Sequence, residues 1–102
     1  IGHIAIPSYF NQFQERIISI PFTDYDSYLN SLSQGNIALV PLEKHATTDG
    51  KSAIKWMEAS YCGVPCICSP VRAYTDVTED GHDVFIAKNG EQWEQMISYL
   101  ID

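Results

Sequence analysis

The chain alternates short apolar runs with segments whose apolar residues recur three and four positions apart. The runs "GHIAI" (2–6), "RIISIPF" (16–22), "NIALVPL" (36–42), "VPCICSP" (64–70) and "VFIA" (84–87) read as strands. The third and fourth are continuously apolar, as in parallel strands covered on both faces. Between the first two lies a polar loop, "PSYFNQFQ". Tyr25, Tyr28, Leu29 and Leu32 make one helical stripe, with Thr23 at a capping position, Asp26 three residues on and Gly35 placed to stop it. "KSAIKWMEASYC" predicts a helix ending at Gly63, and Trp93, Met96, Ile97, Leu100 and Ile101 form a third stripe behind Asn89 and Gln92. "VRAYTDVTEDGHD" reads as loop with one helical turn and a reversal at Asp80-Gly81.

The predicted order β, β, α, β, α, β, β, α over residues 1–102 argues an α/β domain, a Rossmann-like parallel sheet with flanking helices. Ligands of such sheets bind beyond the carboxyl ends of the strands. The loop 43–50 follows a strand and opens a helix, so it is expected on that edge.

The 102 residues make one domain, and a net charge of −7 excludes a phosphate-neutralising nucleic-acid binder. No apolar run is long enough to span a bilayer. The chain begins with Ile1, not Met, and is expected to be an internal piece of a longer protein. Cys62, Cys66 and Cys68, an odd number, fit a reducing compartment. Their spacing lacks paired metal-ligand geometry and no His adjoins them, so they read as core thiols, with no metal expected.

"TTDGKS" (47–52) ends like a phosphate-binding loop of nucleotide hydrolases. His45 stands where that loop needs its first Gly, and neither buried run ends in a magnesium-binding Asp. What remains is Gly50, Lys51 and Ser52 at a predicted helix start, where free N–H groups favour an anion. Lys55 lies one turn further, and Lys51, Lys55, Glu58 and Cys62 share one helix face. Two lysines in the first turns oppose the helix dipole, which favours a negatively charged ligand beside them.

The run "MEASYCGVPCICS" followed by "DGHDVFIA" and the closing "EQWEQMISYLID" resembles the nucleotide-sugar half of retaining GT-B glycosyltransferases, the group 1 enzymes of bacterial polysaccharide synthesis. The resemblance covers residues 16–102, the first strand more loosely. It implies a donor-binding role for Glu58, which precedes the Ala of the motif and would accept two hydrogen bonds from a ribose diol. It implies Lys51 and Lys55 at the diphosphate, with Gly50 and Ser52 in the same loop and His45, Ser69 and Tyr74 lining the pocket. The family's first donor glutamate would fall at residue 50, which is Gly50. Trp56 and Met57 read as core, His3 and His82 as structural.

The resemblance further implies a cytoplasmic parent, peripheral at the inner membrane, that moves a sugar from a nucleotide diphosphate sugar to a polysaccharide or glycolipid acceptor. The acceptor domain and the first β-α unit of the donor domain lie outside these residues, so the piece alone is expected to be inactive. The strand order becomes 2-1-(gap)-3-4-5, and the open edges favour self-association. No catalytic residue is identified. The alternative is a non-catalytic α/β nucleotide-binding or structural module.

Overall fold

The computed structural model describes residues 5–42 and 53–101. Strands β1 (Ala38–Val40), β2 (Cys66–Cys68) and β3 (Phe85–Ile86) form a parallel sheet in the order β1-β2-β3. Helices α1 (Tyr25–Ser33), α2 (Ile54–Tyr61), α3 (Arg72–Thr75) and α4 (Gly90–Ile101) flank the sheet, and a 3-10 segment, Ser8–Arg16, precedes α1. This is the α/β class expected, with the last three predicted strands adjacent in chain order.

β2 is central because its sequence suits full burial: Cys66, Ile67 and Cys68 are all buried. Ala38, Leu39 and Val40 stand opposite Cys66, Ile67 and Cys68, while Ile67 and Cys68 stand opposite Phe85 and Ile86. The Ala38 N–H donates to Pro65 O at 2.9 Å and the Ser69 N–H to Val40 O at 3.1 Å. On the other side the Ala87 N–H donates to Cys68 O at 2.9 Å. Cys66 and Cys68 join a core cluster with Ala59, Val71, Tyr74, Val84 and Ile86.

Each turn into the sheet has a local cause. Gly63, with φ of 71°, ends α2. Its N–H donates to Ser60 O at 3.1 Å and the Val64 N–H donates to Ala59 O at 2.9 Å, the paired bonds of a Schellman stop. Gly81, with φ of 80°, reverses the chain ahead of β3, and its N–H donates to Val84 O at 2.8 Å. Asp80 Oδ1 accepts the Ile86 N–H at 2.9 Å, which anchors β3. Asn89 Oδ1 accepts the Gln92 N–H at 2.9 Å and Gln92 Oε1 accepts the Lys88 N–H at 2.8 Å, a reciprocal start for α4.

Several expectations are corrected. "RIISIPF" forms no strand, nor do Ala5 and Ile6; the other residues of "GHIAI" lie outside the described ones. A strand needs a neighbour as well as a pattern, and among the described residues 17–20 join no ladder. Most of "PSYFNQFQ" is 3-10 helix with no buried residue. The α1 cap is Asp24, whose Oδ1 accepts the Ser27 N–H at 2.9 Å, not Thr23. Helix α2 is described from Ile54, and β1 is not covered on both faces, since Leu39 is 52% exposed. Ile101, placed in the α4 stripe, is exposed, whereas Trp93, Met96, Ile97 and Leu100 are half-buried.

Gly63→Ala is expected to lower folding stability by about 1 kcal/mol, because a side chain disfavours the left-handed backbone. A Cβ there meets nothing within 4 Å, so the cost is conformational. Urea unfolding monitored by circular dichroism measures it; an unchanged midpoint contradicts it.

Candidate functional site

The carboxyl edge of the sheet is closed between β1 and β2 by Ser69. Its hydroxyl accepts the Leu42 N–H at 2.8 Å while its own N–H donates to Val40 O. This holds the chain leaving β1 against the end of β2, and Ser69 is buried. Beyond the clamp lies a hollow of about 420 Å³ between Leu39–Leu42, the start of α2 at Ile54 and Lys55, and Tyr74 of α3. It occupies the edge where parallel sheets take their ligands. Most of its lining residues are apolar, with Lys55 and Tyr74 as the polar ones.

The face of α2 that carries Lys55, Glu58 and Cys62 turns toward α1. The Tyr28 hydroxyl donates to Glu58 Oε1 at 3.0 Å, and Lys55 Nζ donates to the Tyr28 hydroxyl at 3.3 Å. Lys55 Nζ also sits 5.1 Å from the Tyr28 ring centroid, within cation–π range. Cys62 Sγ approaches the Leu29 carbonyl at 3.7 Å. Glu58 is 7% exposed, a depth at which a carboxyl needs a donor. Tyr25 stacks near Tyr28 with ring centroids 6.1 Å apart, and its interaction with Glu58 pushes its phenol up. Burial, with Glu58 beside it, also raises Tyr28, while Lys55 acts in the opposite direction.

The predicted site residues thus divide. Lys55 and Tyr74 line the hollow; Glu58 lies on the same helix but is engaged by Tyr28; Ser69 clamps the two strands. His45, Gly50, Lys51 and Ser52 lie outside the described residues, as does His3. Trp56 is half-buried against the core, with its indole N–H donating to Asp83 O at 3.0 Å, whereas Met57, expected in the core, is exposed. His82 sits exposed in the turn before β3, its Nδ1 2.9 Å from Asp83 Oδ1. Cys66 and Cys68 are buried with sulfurs 3.4 Å apart. Their shared hydrogen bond and burial push the Cys68 thiol up.

Sequence reasoning missed Tyr28 as the partner of Glu58. The signal was there: a tyrosine in an apolar stripe carries a hydroxyl that needs a partner once covered. It also missed Asp80, whose carboxyl supplies the order behind "DGHDVFIA". Among the described residues no helix is long and apolar enough to cross a membrane. Compared with known protein families, with curated proteins and with solved structures, the chain matches none.

Tyr28→Phe removes the donor facing Glu58 and is expected to cost about 1–3 kcal/mol of folding stability, read from urea unfolding. A variant as stable as the parent contradicts that role for the bond. Burial pushes the Tyr74 hydroxyl from 10 up to about 12. The unfolded chain releases this proton near its ordinary value and the folded chain later. The contribution to stability is therefore complete below pH 10 and is lost as pH rises toward about 12. Tyr74→Phe is expected to make the alkaline loss shallower in unfolding measured from pH 9 to about 12.

Proposed function

We propose that the chain is the donor-binding part of a cytoplasmic glycosyltransferase that takes a sugar from a nucleotide diphosphate sugar and passes it to a polysaccharide or glycolipid acceptor. The observation that carries this reading is the hollow at the carboxyl edge of β1 with Lys55 among its lining residues and Glu58 one turn further along α2. A diphosphate beside Lys55 gains a charge-assisted hydrogen bond in a partly apolar setting. The glycosyl-transfer step expels that diphosphate, so stabilising its growing charge is the largest task of the donor site. Lys51, Ser52 and Gly50 complete the anion site in this reading, and no metal is required. The acceptor and the groups that activate it belong to the parent protein, placed at the inner membrane face.

A second reading, a non-catalytic α/β module, is favoured by the Tyr28–Glu58 bond, which already gives the glutamate a partner within the fold. Titration with UDP, GDP, ADP and dTDP, followed by amide shifts of residues 53–58 in ¹⁵N spectra, separates the two. The donor-site reading expects saturable shifts with at least one diphosphate at about millimolar concentration and about tenfold weaker binding in Lys55→Ala. No shift with any of the four supports the module. The isolated chain is expected to turn over no nucleotide sugar, and measurable transfer or hydrolysis refutes that expectation.

A further inference from the structure

The arm before α1 carries large apolar side chains that the fold leaves outside. Ile6, Tyr9, Phe10 and Phe13 are exposed, and Ile18 is 85% exposed. Ile6, Phe10 and Ile17 line one hollow of about 240 Å³, so they share a surface. From Ile17 the chain is extended, with φ −109° and ψ 124° there. The stretch Ile17–Ile20 is rich in β-branched residues yet belongs to no strand.

The sheet has the complementary need. Ala38 and Val40 turn their peptide groups to β2, so in a parallel pair those of Leu39 face the opposite way. Among the described residues nothing pairs with that outer edge, and the Leu39 side chain stands half in solvent. Among the described residues, one molecule thus carries both an extended segment outside the sheet and a sheet edge with no strand beside it.

We propose that two copies of this chain associate by mutual exchange of this arm, with residues 17–20 of each copy seated on the β1 edge of the other and Ile18 beside Leu39. Charge supports a second copy as the occupant. A chain of net charge −7 repels its own kind unless the contact is neutral. Residues 17–23 and 34–42 contain no charged side chain, so this pairing brings no carboxylates together. The arm's exposed apolar side chains, Ile6, Tyr9, Phe10, Phe13 and Ile18, and Leu39 at the edge supply apolar surface that such an exchange can cover. The two contacts are related by a two-fold axis, so the assembly closes at two.

Sedimentation equilibrium tests the proposal. The chain is expected to be a dimer, and Leu39→Lys or Ile18→Lys is expected to weaken association at least about tenfold, with unchanged far-ultraviolet circular dichroism. Because a lysine variant that misfolds is uninformative, a second measurement uses cysteine chemistry. A mixture of Ile18→Cys and Leu39→Cys chains is expected to give a reducible cross-linked pair that neither variant gives alone. A chain that stays monomeric up to about 1 mM overturns the proposal and leaves the edge to a different partner. A dimer that survives both lysine variants, or a mixture that does not cross-link, also overturns it.

Discussion

β2 is paired along both edges and covered on both faces, and the described fold is arranged around those three residues. β1 bonds to it on one side and β3 on the other. The Schellman stop at Gly63 aims the chain from α2 into it through Val64, and Ser69 ties its far end to Leu42. So short a strand gains little from its own hydrogen bonds. What holds it is the removal of Cys66, Ile67 and Cys68 from water together with the neighbours they cover. The two sulfurs 3.4 Å apart are a by-product of this geometry, since alternate residues of a strand share a face.

The contact between α1 and α2 follows a different physics. Three groups form a chain in which the Lys55 ammonium donates to a phenol and the phenol donates to a carboxyl. Each bond polarises the next, so the middle hydroxyl is a better donor to Glu58 because Lys55 leans on it. The two opposite charges are thereby linked without touching. If the proposed donor site holds, a nucleotide phosphate at Lys55 would compete with Tyr28 for the same ammonium.

Much of the sheet was legible because its central run is apolar without interruption and its turns use residues with local reasons: Gly63, Asp80-Gly81, and Asn89 with Gln92. Their signals are contained within a few residues. What failed was non-local. The alternating pattern of "RIISIPF" specifies a face for a strand but not the neighbour that makes it one, and the apolar continuity of "NIALVPL" does not reveal that Leu39 faces outward. The Thr23-for-Asp24 error is a shift of one residue between two good caps. The site was legible only as a helix face. That Glu58 meets Tyr28, thirty residues away, depends on how α1 packs, which no spacing within either helix encodes.

Pro41 follows the strand and has no N–H to offer, so the donors of the outer edge stop at Leu39. A long flat edge propagates: each added strand exposes a fresh template for the next, and the product is a fibre. An edge whose donors stop at a proline is a short template, enough for one added segment but poor for a growing stack.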